Sequence, residues 1–190
     1  MEFNTTLFTP YVLDFFTENL KDYDTNYLEI GVYYGKSIKE LSETYTNKTI
    51  FAIDPFIEDG HTTHKSGIAQ GNELSSQKNN VISILETHKN IKLFQASSVD
   101  FYKTLTKEII TDLNIGCIFM DGDHHYSSIV NDYKLSIDLI GSKKGIICFD
   151  DLHLDDVLQA YNEFIQIMEH RIENINILGN TCKAVRLKND

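Results

Sequence analysis

Short apolar runs of β type alternate with longer stretches of helical pattern along this chain, and that alternation constrains the fold more than any other feature. The runs are Asn26–Ile30, Thr49–Ile53, Ile91–Gln95, Ile115–Met120 and Gly145–Phe149. They are apolar throughout, as expected of strands covered by helices on both faces. Helices are expected near Pro10–Leu20, Lys36–Thr44, Glu73–His88, Val99–Leu113, Ser127–Ile140 and Leu154–His170. Pro55 stops the second run because it cannot donate to a ladder. The tail differs: Asn174–Leu178 and Cys182–Leu187 are separated only by Gly179-Asn180-Thr181. That is too short for a crossover helix, so the two runs should pair as an antiparallel hairpin. The expected fold class is α/β, a doubly wound seven-stranded sheet with one reversed strand.

A chain of 190 residues, 42% of them hydrophobic, suffices for one domain over residues 1–190, with 1–25 as an N-terminal helical segment. Seventeen Lys+Arg against 28 Asp+Glu give a net charge of −11, so no chain-wide basic field exists to attract nucleic acid or an anionic membrane. The first residues lack a signal-peptide pattern, and no run approaches the roughly 18 apolar residues of a spanning helix. A cytoplasmic protein is expected, acting on a small molecule, with a homodimer left open. Cys117, Cys148 and Cys182 sit inside apolar runs, the usual place for buried thiols rather than for a disulfide or zinc site. Residues 55–72 form a polar stretch holding His61 and His64, longer than a routine connection and so a candidate lid.

Ligands of open α/β sheets collect beyond the carboxyl ends of the strands. The first run closes as Glu29-Ile30-Gly31-Val32-Tyr33-Tyr34-Gly35, a carboxylate followed by two glycines opening a helix. Glycine lets backbone approach a ligand, and a helix N-terminus offers unpaired N–H groups. The second run closes with Asp54, 23 residues after Gly31, where a carboxylate can receive both hydroxyls of a ribose. The loop lacks the middle glycine of a nicotinamide fingerprint, which disfavours a dehydrogenase.

The fourth run leads into Asp121-Gly122-Asp123-His124-His125-Tyr126 and the fifth into Asp150-Asp151. Neighbouring strands lie about 4.8 Å apart, so Asp121 and Asp150 should end side by side. Converging carboxylates repel one another unless a cation or protons intervene. Oxygen-only donors suit Mg²⁺, Mn²⁺ or Ca²⁺, and Asp121, Asp150 and Asp151 are the expected ligands. The competing structural role is capping of the following helices.

Glu29, Gly31, Gly35 and Asp54, in strand-end order, resemble the class I S-adenosylmethionine-dependent methyltransferases, which share the Rossmann-like sheet and terminal hairpin. The resemblance implies that Glu29 and the Gly31–Gly35 backbone, with Tyr33, hold the methionine part of S-adenosylmethionine, and that Asp54 holds its ribose. It also implies that Ser97 and Ser98, in Gln95-Ala96-Ser97-Ser98, lie by the adenine, although relatives carry Gly-Asp where this chain has Ala96-Ser97. Residues 119–126, then Asp132, Gly145 and Asp150-Asp151, look like the metal-dependent O-methyltransferases related to the macrocin sugar methyltransferases. That likeness covers residues 27–152 and implies Mg²⁺ at Asp121, Asp150 and Asp151, Asp121 also lying beside the cofactor, with Asp123 as general base.

Such chemistry needs this arrangement because a hydroxyl must lose its proton as it attacks a methyl carbon. A bound cation lowers the hydroxyl pKa, and a nearby carboxylate or imidazole accepts the proton. Asp123 is the expected base and His124 its rival; His125 and His153 rank lower. Tyr33, Tyr34 and Tyr126 flank the cleft. The alternative from another class is a non-catalytic module that binds S-adenosylmethionine or a nucleotide; a metal-dependent methylated product separates the two.

Overall fold

Runs such as Ile115–Met120 and Gly145–Phe149, buried at every residue, can only be satisfied in the middle of a layered molecule, and that is where they lie. A computed structural model of the chain describes residues 10–56 and 71–190. Its strands are β1 (Asn26–Ile30), β2 (Ile50–Ile53), β3 (Ile91–Phe94), β4 (Ile115–Met120), β5 (Gly145–Phe149), β6 (Ile172–Leu178) and β7 (Cys182–Leu187). They form a seven-stranded sheet in the order β3-β2-β1-β4-β5-β7-β6. β1 to β5 are parallel, and β7 runs antiparallel to both β5 and β6, so it is the one reversed strand. The α/β class, the seven strands and the C-terminal hairpin are as the sequence pattern requires.

The helices are α1 (Pro10–Asn19), α2 (Lys36–Thr44), α3 (Gly71–Thr87), α4 (Ser98–Lys103), α5 (Lys107–Leu113), α6 (Tyr126–Ile140) and α7 (Asp155–Met168). On one face of the sheet Tyr27, Cys117, Phe119 and Cys148 pack against Phe16, Leu41 and Val81 of α1, α2 and α3. On the other, Leu28, Ile118, Met120 and Phe149 meet Tyr133, Leu139 and Phe164 of α6 and α7. Each such side chain, fully buried, contributes on the order of 1.5–3 kcal/mol. All three cysteines are free and buried. No helix among the described residues is long and apolar enough to cross a membrane.

The single helix expected over 99–113 is instead two. Thr106 takes an extended conformation and its hydroxyl accepts from the Ile109 N–H, capping α5 and ending continuity with α4. α7 stops at Met168, short of the expected His170. A tight turn there carries Arg171 inward, where its guanidinium donates to the Gly141, Lys143 and Lys188 carbonyls. The lid expected at 55–72, with His61 and His64, lies largely outside the described residues.

Candidate functional site

The parallel order brings the carboxyl ends of β2, β1, β4 and β5 into one row, and each end carries one part of the site. The β1 end is built on Gly31. At φ +83 its backbone runs against the next strand so closely that a Cβ would stand 2.1 Å from the Asp121 carbonyl oxygen. Only glycine permits both the dihedral and the approach. The Gly31 N–H donates to the Ile53 carbonyl, while Asp121 N–H donates to that of Ile30, so this corner locks β2, β1 and β4 together. Gly35 is also left-handed and stands at the N-cap of α2. Between the two glycines, Tyr33 adopts φ 50, a rare conformation for a residue with a side chain. Its ring is 47% exposed and meets Tyr34 edge-on at 4.7 Å.

Glu29 lies underneath this loop, 2% exposed, rather than open at its mouth. The Tyr27 hydroxyl donates to its Oε2 at 3.0 Å and the Ser37 hydroxyl to its Oε1 at 2.5 Å. Burial pushes its carboxyl up to about 7 despite those two donors, with Asp54 adding repulsion. Its position makes it a brace between β1 and α2. Ser37 was not among the residues singled out from sequence; its place in the first turn of the helix after Gly35 was the available signal.

Asp54, at the β2 end, ties the loops on either side. Val32 N–H donates to its Oδ2 at 2.9 Å and Phe56 N–H to its Oδ1 at 2.8 Å. Each carboxylate oxygen accepts more than one hydrogen bond, so a diol can still be received. Ser97 caps α4, its Oγ accepting from Asp100 N–H at 3.1 Å while donating to the Asp100 carboxylate. Asn131 Nδ2, on α6, lies 3.5 Å from both Ser98 Oγ and Asp132 Oδ1; Asp132 is a buried carboxylate to which the sequence reading gave no role of its own.

The acidic corner joins the ends of β4 and β5. Register pairs Met120 with Phe149, and Asp150 N–H donates to the Met120 carbonyl, so Asp121 and Asp150 do follow neighbouring strand ends. Asp150, 8% exposed, turns inward: its Oδ1 accepts from its neighbour's N–H (Asp151) at 2.7 Å and from the Thr181 hydroxyl at 3.2 Å. Asp151, at φ 54, reverses the chain and brings its own carboxylate forward. Its Oδ2 stands 2.9 Å from His124 Nε2, which is 4.0 Å from Asp121 Oδ1. One ligand atom from each of Asp121, His124 and Asp151 lies within 4.8 Å of the others. Of the expected trio Asp121, Asp150 and Asp151, the first and last fall in this group; Asp150 has its Oδ1 engaged by Asp151 N–H and Thr181, and it is the leading neighbouring charge on Asp121.

Asp121 has its carboxyl held well above the usual range, by desolvation and then by Asp150, Asp151 and Glu29, although its side chain is 38% exposed. A carboxylate so placed is costly to ionise alone and is relieved by a cation. The Asp121 and Asp151 carboxylates are oxygen donors suited to one divalent ion, with the His124 imidazole standing beside them. Asp123 belongs elsewhere. Its Oδ1 meets His125 Nδ1 at 2.6 Å and its Oδ2 accepts from Ser128 at 2.7 Å. Partial burial raises its pKa, but these hydrogen bonds outweigh that and leave it lowered, which weakens it as a proton acceptor. His153 lies 3.6 Å from Asp151 at the outer rim.

A family model described as a methyltransferase domain matches residues 28–152. An uncharacterised protein of Acanthamoeba polyphaga mimivirus is 25% identical over 142 residues, 74% of this chain; the match spans only 58% of that protein's length. Solved structures with similar folds include CalS11, a calicheamicin methyltransferase, at TM-score 0.68 and 11% identity, covering 94% of this chain and 78% of that one. CalS11 is also described as a TDP-rhamnose 3'-O-methyltransferase. The O-methyltransferase NovP gives 0.67 and 11%, covering 94% and 80%. The O-methyltransferase from Bacillus cereus, solved with SAH, gives 0.62 and 14%, covering 95% and 82%.

Proposed function

The chain belongs to the methyltransferase-domain family matched over residues 28–152, and on that premise we propose that it methylates a hydroxyl of a small, sugar-like acceptor, using S-adenosylmethionine and a divalent cation of the Mg²⁺ type. One observation carries this reading: Asp121, His124 and Asp151 converge within 4.8 Å beside the glycine corner. The sugar-like acceptor draws on the description of CalS11.

In this reading S-adenosylmethionine supplies the methyl group on a sulfonium, an electrophilic carbon ready for in-line attack. Asp54 would hold its ribose, the turn after β3 would face its base, and the Gly31–Gly35 backbone would hold its methionine part. Asp121 and Asp151 would hold the cation, whose charge would lower the pKa of an acceptor hydroxyl and fix its direction. His124, whose Nε2 lies 2.9 Å from Asp151 and 4.0 Å from Asp121, would accept the hydroxyl proton as the oxygen–carbon bond forms and the carbon–sulfur bond breaks. The neighbouring Asp151 carboxylate would stabilise the resulting imidazolium. Asp123 serves as a support, orienting His125 and the start of α6 through Ser128.

The test is methyl transfer from radiolabelled S-adenosylmethionine to TDP-rhamnose and to 3,4-dihydroxybenzoate, each with Mg²⁺ or with excess chelator. The reading expects product with at least one cyclic diol, lost on chelation. Chelator-insensitive transfer removes the cation from it, and absence of product with every cyclic diol tried removes the acceptor class.

A further inference from the structure

The two edges of the sheet are protected unequally. At one end of the strand order stands β3, four residues long and carrying the exposed Lys92. At the other stands β6, seven residues long, and among the described residues no strand lies beyond it. The outer N–H and C=O groups of such an edge are an open ladder, which proteins normally blunt with Lys, Pro or a bulge. β6 has neither Lys nor Pro, and its one irregularity lies at its start, between Ile172 and Asn174. From Asn174 to Leu178 it carries no charge, in a chain of net charge −11. Its side chains alternate between the two faces. Ile175 pairs with Val185, and Ile177 with Lys183, whose ammonium lies over the Tyr161 ring, so both isoleucines are on the α7 face. Asn174 and Asn176 pair with Arg186 and Ala184 on the α1 face. Ile177 is 74% exposed and Ile175 39%.

We propose that β6 is a homodimer surface: two copies of this chain pair antiparallel along it, about a two-fold axis at Ile175, and join their sheets into one. A two-fold contact has to be self-complementary, and the strand reads nearly alike in both directions from Ile175. Asn174 and Asn176 flank it, then Glu173 and Ile177, then Ile172 and Leu178. In that register Ile175 meets the partner's Ile175, and Asn176 faces the partner's Asn174. Arg186 Nε already donates to Asn176 Oδ1 at 3.2 Å, which leaves the Asn176 NH₂ to donate to the partner's Asn174. The strand's only charge, Glu173, falls opposite the partner's Ile177 and in one row with the partner's Lys183, so the two like charges do not meet. Seven residues at about 3.3 Å each make an edge about 23 Å long. With the layers of α7 and α1 on either side, that is roughly 500–600 Å² per copy, the low end of a specific interface, and sets the expected affinity in the micromolar range. Pairing uses up the edge of each copy and the short β3 edge offers no second, so association closes at two.

The test is sedimentation equilibrium of the full chain from about 1 to about 200 μM, a range that brackets the expected affinity. The wild type should show a monomer–dimer equilibrium with a Kd of about 1–100 μM. Ile177→Lys and Ile175→Lys should each weaken it about tenfold or more by placing an unpaired ammonium in the contact. Ile82→Lys, at a 41% exposed isoleucine on α3, should leave it unchanged and so separates this edge from general apolar association. Ile175→Cys reads the register and keeps the strand neutral. With oxidised glutathione, the two facing thiols give up two protons and two electrons and join as a disulfide, while the glutathione disulfide is reduced to two thiols. Denaturing electrophoresis should show that covalent dimer for Ile175→Cys and only monomer for Ile82→Cys, since the three native cysteines are buried. A wild type that stays monomeric over this range overturns the proposal. So do species larger than a dimer, a dimer that Ile177→Lys leaves intact, and an Ile175→Cys dimer that does not cross-link.

Discussion

Gly31→Ala perturbs the point on which the whole site is assembled. The added methyl carbon would lie 2.1 Å from the Asp121 carbonyl oxygen, 2.6 Å from its carbon and 2.8 Å from the Gly122 Cα. All three are backbone atoms, so no rotamer change relieves the clash, and β1 and β4 must separate. The φ of +83 adds about 1–2 kcal/mol for a residue with a Cβ, and forced separation of packed backbone costs about another 1–3 kcal/mol. The expected loss is thus roughly 2–5 kcal/mol, which for a chain of this size lowers Tm by about 4–20 °C. Gly122→Ala is the control in the same corner: its nearest contacts are 3.4 Å and 3.6 Å, ordinary packing distances. Urea and thermal unfolding followed by circular dichroism measure both. A Gly31→Ala protein less than about 1 kcal/mol weaker than wild type, or no weaker than Gly122→Ala, refutes the close approach.

Other substitutions separate the roles assigned to the acidic corner and its surroundings. His124→Gln should lower kcat by about 10²–10⁴-fold while cation binding persists, whereas Asp123→Asn should stay within about tenfold of wild type; the reverse order in steady-state kinetics restores Asp123 as the base. Asp121 is harder to ionise in the folded chain than in the unfolded one, so without cation its effect on stability worsens as pH rises through the unfolded carboxylate value and beyond. Asp121→Asn should therefore raise Tm at pH 7.5 in chelator yet abolish any rise on adding Mg²⁺, a pairing read by thermal scans. Glu29, with its carboxyl at about 7, follows the same sign: stability it contributes as a neutral acid is present below about pH 4.5 and lost by about pH 7, up to on the order of 3 kcal/mol. Glu29→Gln should flatten the urea-midpoint profile across that window, and an unchanged slope refutes the raised value.

Much of the fold was legible because apolar run length and connector length are local properties. The three residues Gly179-Asn180-Thr181 leave no room for a helix, and the reversed β7 follows directly. The break between α4 and α5 was not legible in the same way, since Thr106 acts through a side-chain cap rather than through Gly or Pro. At the site, the glycine corner and Asp54 could be placed from spacing alone. The different settings of Asp150 and Asp151 could not: they depend on a left-handed Asp151 and on Thr181, a hydroxyl delivered from the remote hairpin. Ser97 and Ser98 look alike in sequence, yet one caps a helix and the other accepts from Asn131 of α6. Asp132 did carry a signal, because it falls between Ile129 and Ser136 on the buried stripe of α6, where a charge has to be satisfied.

The central claim is that the β4 and β5 ends together hold a divalent cation, and Mn²⁺ binding followed by electron paramagnetic resonance in the presence of S-adenosylhomocysteine tests it most directly. The account predicts one Mn²⁺ per chain, weakened by at least about tenfold in Asp121→Ala and in Asp151→Ala, the scale of losing one charged ligand. Binding that is absent from the wild type, or that persists unchanged when both carboxylates are removed, contradicts it.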